Sequence, residues 1–179
     1  FDGKNGPYKE DDKPGPLNTY GRTKLESENA VKRILKDYLI VRTAQLYGPD
    51  HRGRNFAVKI IQNMRKNRKV YAAEDFYCTP TYVGSLSASI IGLLEKGKRG
   101  VYHAAGTDFI NRYDYVDRIA DIFKLDKGLI MKVMLKDLRL KAKRPEKSGL
   151  SVDKLTREIK SPLYDCETGL SLLKKEMDF

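Results

Sequence analysis

A tyrosine and a lysine four residues apart, Tyr20 and Lys24, lie in the stretch L-N-T-Y-G-R-T-K-L-E-S-E from Leu17 to Glu28. In a helix, residues i and i+4 are stacked neighbours, so both side chains would emerge from one face. A phenol titrates near ~10 and is a weak acid-base group at neutral pH, but an ammonium nearby favours the phenolate and suits it better to such work. The pair could therefore pass a proton to or from a carbonyl or hydroxyl. The same two residues also fit a surface helix with a solvated lysine, because Y-x-x-x-K leaves three positions free. The surrounding chain has to decide.

The elements that must position the pair can be read on either side of it. Residues 1–16 carry Gly3, Gly6, Pro7, Pro14, Gly15 and Pro16 with an acidic trio, Glu10 to Asp12, and read as an irregular loop. A helix is expected from about Leu17 to Lys36, capped by Asn18 or Thr19, with Leu25, Ala30, Val31, Ile34 and Leu35 as a core-facing stripe. Tyr38 to Val41 reads as a buried parallel strand. Thr43, Ala44 and Gln45 follow at its carboxyl end, where open α/β sheets place their ligands. Asn55 can open a second helix to about Lys66, with Phe56, Ile60, Ile61 and Met64 inward.

Beyond it come strands at Lys69–Ala73 and Val101–Ala105, an extended stretch at Thr79–Val83, and a helix bearing Leu86, Ile90, Ile91, Leu93 and Leu94. Asn111 with Asp114 resembles a helix start, and Leu129 to Leu135 reads as a strand. Lys136 to Lys147 is strongly cationic, and Ser151–Glu158 and Glu167–Met177 read as closing helices. His103, inside a strand with no visible partner, reads as a satisfied core histidine, and His51 as solvated.

The 179 residues hold 35 Lys plus Arg against 24 Asp plus Glu, a formal charge of +11. That balance attracts polyanions, but the basic residues are scattered and not interleaved with stacking aromatics, which argues against nucleic acid. A phosphate-rich cofactor and a nucleotide sugar would also favour positive potential. Cys78 and Cys166 form no metal or disulfide framework, so no metal site is expected and reduced thiols in the cytoplasm are the simpler reading. No apolar run reaches the ~18 residues a membrane span needs, so no membrane is expected as a partner.

In order along the chain stand F-D-G at Phe1–Gly3, E-D-x-x-P-G-P-L-N-T-Y-G-R-T-K-L-E from Glu10 to Glu26, and V-R-T-A-Q-L-Y-G from Val41 to Gly48. R-N-F at Arg54–Phe56, T-P-T-Y at Thr79–Tyr82, G-V-Y-H-A-A-G at Gly100–Gly106 and K-R-P at Lys143–Pro145 follow. The set resembles the extended short-chain dehydrogenase/reductase superfamily and, within it, the dTDP-4-dehydrorhamnose reductases. The resemblance runs to about Leu155. Two departures accompany it: no G-x-x-G-x-x-G turn for a cofactor pyrophosphate occurs, and Gln45 stands where these reductases usually carry tryptophan.

The resemblance implies an α/β fold: a partial Rossmann-like doubly wound parallel sheet with a small α+β substrate-binding lobe. Residues 1–48 and 79–106 would be the carboxyl-terminal part of the NAD(P)-binding domain, and 49–78 and 107–179 the lobe. It implies NADP or NAD as cofactor and reduction of a 4-keto nucleotide sugar, as in dTDP-rhamnose biosynthesis. Tyr20 would donate the proton, Lys24 would hold the nicotinamide ribose and assist the phenol, and Thr43, Ala44 and Gln45 would line the cofactor. Arg144 suits the substrate's diphosphate, because a planar guanidinium donates two parallel hydrogen bonds, and Asn55 could add an amide at a helix amino terminus.

An epimerase or dehydratase on the same scaffold and a non-catalytic homologue, like the regulatory subunit of methionine adenosyltransferase, stay open. A sheet lacking its first strands would expose an unpaired edge, so either a homo-oligomer or pairing with an amino-terminal half of a longer enzyme is expected.

Overall fold

The structure is a computed structural model that describes residues 1–177; the last two positions of the expected 107–179 lobe, Asp178 and Phe179, lie outside the described residues. After the opening loop come α1 (Thr19–Ile34), β1 (Leu39–Arg42), β2 (Leu46–Tyr47), α2 (Phe56–Arg65), β3 (Val70–Ala73), β4 (Tyr77–Cys78) and β5 (Thr81–Tyr82). They are followed by α3 (Val83–Glu95), β6 (Gly100–His103), β7 (Ile110–Asn111), α4 (Arg112–Phe123), β8 (Ile130–Val133), α5 (Asp153–Glu158) and α6 (Cys166–Glu176).

The strands pair as β1 with β6, β2 with β5 and β3 with β8, all parallel, and β4 with β7, antiparallel. Parallel pairs joined through helices are the signature of an α/β fold, here Rossmann-like. Asparagine sets three helix starts: the side chains of Asn18, Asn55 and Asn111 accept from the amides of Gly21, Val58 and Asp114, satisfying donors that a helix leaves free at its first turn.

The main core lies where α2, α4 and α6 meet, around Ile61, Tyr115, Ile119, Leu170 and Leu173, with Tyr47 and Tyr82 reaching in from β2 and β5. A second cluster joins Leu93 of α3, Tyr102 of β6 and Leu155 of α5. The first helix and strand differ from expectation. None of α1's residues is buried, Ile34 is 72% exposed, and every residue of β1 is only half-buried. Among the described residues β1 pairs only with β6, which leaves its other edge without a strand there.

Candidate active site

Asn18 does two things at the start of α1. Its Oδ1 accepts from the Gly21 amide at 2.9 Å, and its Nδ2 donates to the Lys143 carbonyl at 2.9 Å. One residue thus fixes the helix that carries Tyr20 and Lys24 and also holds the K-R-P segment beside it. That segment is tied at its far side too, where the Lys147 amide donates to the Gly3 carbonyl at 2.8 Å. Gly3 has φ +73°, and a Cβ there would overlap Pro145, so glycine is what lets the two segments touch.

Tyr20 is 68% exposed, and the Lys24 ammonium lies 5.7 Å from the centre of its ring, within cation–π range. Both border a cavity of about 1010 Å³, together with Thr43, Ala44, Gln45 and Arg144. The residues expected to act together are therefore brought together, with one exception. Asn55 is not in the cavity wall: Oδ1 accepts from the Val58 amide at 3.1 Å and Nδ2 donates to the Gly48 carbonyl at 2.9 Å. Its amide caps α2, the role expected of an asparagine at a helix start.

The helix is held against the strand end by an ion pair that sequence reasoning missed. Arg42 Nε donates to Glu28 Oε1 at 2.8 Å and Nη2 to Oε2 at 2.6 Å, a fork that sets the cavity face of α1, where Glu28 lies one turn beyond Lys24. Burial pushes the Glu28 carboxyl up, but the Arg42 hydrogen bonds and charge, with Lys32 and His103, outweigh it and hold the pKa below its ordinary value. His103 is fully buried, with Nδ1 3.1 Å from the Tyr8 carbonyl oxygen and its backbone amide donating to Glu10 Oε1. Burial is the main influence holding its pKa below the usual imidazole value, against the pull of Glu10. It is the satisfied core histidine expected.

Thr43 to Gln45 is positioned by the T-P-T-Y motif. Thr81 Oγ1 donates to the Ala44 carbonyl at 2.6 Å, and the Thr81 amide to that of Gln45 at 3.2 Å. Gln45 itself has φ +47°, a left-handed backbone uncommon for a residue with a side chain. Its Oε1 accepts from Nη2 of Arg112, a second residue that sequence reasoning missed. The signal was present: Arg112 shares the 112, 115, 116, 119 register of α4's buried face.

The sequence pattern of the RmlD substrate-binding domain matches residues 1–178. The chain belongs to that family. Relatives include the probable low-salt glycan biosynthesis reductase Agl14 of Haloferax volcanii, 30% identical over 180 residues that cover 97% of this chain and 59% of that protein. Methionine adenosyltransferase 2 subunit beta of Bos taurus is 32% identical over 162 residues, 87% of this chain and 48% of the subunit. Among solved structures, dTDP-4-dehydrorhamnose reductase from Bacillus anthracis, in complex with NADP, superposes with a TM-score of 0.91 at 27% identity, covering 99% of this chain and 62% of that one. This RmlD-family chain thus spans about half to three-fifths of the length of the proteins it matches.

Cys78 and Cys166 are buried free thiols, and no group of three or more His, Cys, Asp or Glu among the described residues is arranged to hold a metal. No helix among them is long and apolar enough to cross a membrane.

Proposed function

We propose that this chain supplies the catalytic helix and the substrate lobe of an NAD(P)H-dependent enzyme that reduces a 4-keto nucleotide sugar, in the manner of dTDP-4-dehydrorhamnose reductase. The observation that carries the reading is one cavity bordered at once by Tyr20, Lys24, the β1 carboxyl end and Arg144. Residues 1–48 and 79–106 then complete a cofactor domain, and residues 49–78 and 107–179 form the lobe. A cytoplasmic place suits the two unpaired thiols.

The residues present fit the nicotinamide end of NADP or NAD. Tyr20 and Lys24 project from an uncovered helix face beside the exposed Thr43, which leaves room for a flat ring and a ribose. The cofactor, when bound, supplies the hydride. Lys24 would hold the ribose hydroxyls through its ammonium. Tyr20 would donate its phenolic proton to the sugar's O4, which gains negative charge as the carbonyl is reduced, and Arg144 would hold the diphosphate at the opposite wall. The pyrophosphate end of the cofactor needs a glycine-rich turn that this sequence lacks, so the reading pairs the chain with an amino-terminal half, in one polypeptide or as a separate subunit.

The test joins the chain to a cofactor-binding half of that kind and follows NADPH oxidation. Oxidation that requires a 4-keto nucleotide sugar supports the reading; a tightly retained oxidised cofactor without net consumption would favour an epimerase instead. Arg144→Ala is expected to weaken the nucleotide sugar about tenfold or more while leaving cofactor affinity unchanged. Equal loss for both ligands would count against placing the diphosphate there.

A further inference from the structure

Among the described residues, Arg112 is the cation of the cavity wall that is both deeply buried and without a carboxylate partner. Only 9% of the residue is exposed, and its Nε and Nη1 have no hydrogen-bond partner among the described residues. The guanidinium lies over two rings, its carbon 4.0 Å from the centre of Phe56 and 4.9 Å from that of Phe76. A guanidinium meets an anion through its N–H edge, and there Nη2 is held by Gln45 Oε1.

The charges around it make the missing partner clearer. Lys24, Arg42, Arg112 and Arg144 border the cavity, and Glu28, the acidic residue there, is already taken by Arg42. Arg112 also opens α4, where the free backbone amides carry partial positive charge and a cation is disfavoured. Arg112 and Arg144 lie close enough to repel one another. A buried guanidinium so placed loses solvation without regaining an anion.

We infer that Arg112, presented by Phe56, Phe76 and Gln45, is a second anion-binding residue of this cavity, and that it takes one phosphoryl group of a nucleoside diphosphate while Arg144 takes the other. The carbonyl oxygen of Gln45 occupies a position that a phosphoryl oxygen would share or replace, and its amide NH2 can then turn to donate to the same anion. This rests on the nucleotide-sugar reading above and adds to it the residue that recognises the diphosphate from inside the lobe.

The experiment titrates inorganic pyrophosphate, at constant ionic strength, into the whole chain and reads affinity by calorimetry and Tm by scanning calorimetry. Pyrophosphate should bind the wild type and raise its Tm, and Arg112→Gln should weaken binding at least about tenfold, with partial recovery in Arg112→Lys. Because a buried arginine can be needed for folding, Gln45→Glu is the decisive variant. It places a carboxylate on the same guanidinium edge and should keep or raise Tm while lowering pyrophosphate affinity by a similar factor. Unchanged affinity in a folded Gln45→Glu chain, or no pyrophosphate binding by the wild type, overturns the inference.

The reductase reading is scored separately by turnover. If pyrophosphate binding depends on Arg112 and yet Tyr20→Phe keeps full activity, the anion site stands and the acid assignment falls. If turnover needs Tyr20 while pyrophosphate affinity ignores both Arg112 and Gln45, the anion site falls and the reduction stands.

Discussion

The α2–α4–α6 cluster, the proposed substrate lobe, and α1, the proposed catalytic helix, are held by different forces. In the lobe, α4 buries six of its twelve residues and packs against α2 and α6 around fully buried Tyr115, Ile119, Leu170 and Leu173. In α1, sixteen residues bury none, and the helix is kept in place by the Asn18 cap, the Glu28–Arg42 fork and partial contacts along the cavity. The lobe therefore owes its stability to apolar area removed from water, while α1 owes its position to a few directional polar contacts. Arg112 sits on the first kind of scaffold, and Tyr20, the proposed proton donor, on the second. A surface that carries Tyr20 and Lys24 and stays open on its outer side is suited to receiving another layer.

The contrast can be broken most forcefully in the lobe. Leu170→Ala, which empties a site with no solvent access, should cost about 2–5 kcal/mol in denaturant unfolding, in keeping with large-to-small changes in cores. A loss under 1 kcal/mol would mean that the lobe core is not what holds the fold. Next in size is Glu28→Gln, which removes one side of a fork only 14% and 18% exposed at its two side chains, and should cost about 2 kcal/mol.

This second effect has a pH signature. The folded-state pKa of Glu28 is depressed, so its contribution is present above the unfolded carboxylate value of roughly 4.3 and is lost as pH falls through the lower folded value. The Tm gap between wild type and Glu28→Gln should be constant from pH 7 to about 5 and then narrow; a gap that widens on acidification would refute the assignment. Smallest is Ile34→Ala at the exposed end of α1, expected within about 0.5 kcal/mol of wild type. A larger cost would show that something covers that face. Hydrogen exchange should sharpen the same point, with α1 amides exchanging well before those of α4.

Much of this was legible in the residues. The asparagine starts of α1, α2 and α4 announce themselves by a short side chain that can reach its own third amide, and α2's inward face follows its period. The Tyr20–Lys24 face was readable for the same reason. The burial of α1 was not, because periodicity tells which residues share a side and says nothing of what stands opposite.

Asn55 offers an amide with two plausible uses, capping and ligand binding, and the structure shows the first, with bonds to Gly48 and Val58. Arg112 escaped because a charged residue counts as surface by composition, although its register with Tyr115 and Ile119 placed it inward. The two-residue strands β2, β4, β5 and β7 are too short for any alternating pattern to develop.

The central claim, that the phenol of Tyr20 protonates the reduced carbonyl, is tested most directly by single-turnover NADPH oxidation with a 4-keto nucleotide sugar, comparing wild type and Tyr20→Phe in the chain joined to a cofactor-binding half. The rate is expected to fall by about 10²–10⁴ with substrate affinity little changed, the range for losing a positioned general acid. An unaltered rate in Tyr20→Phe would contradict it.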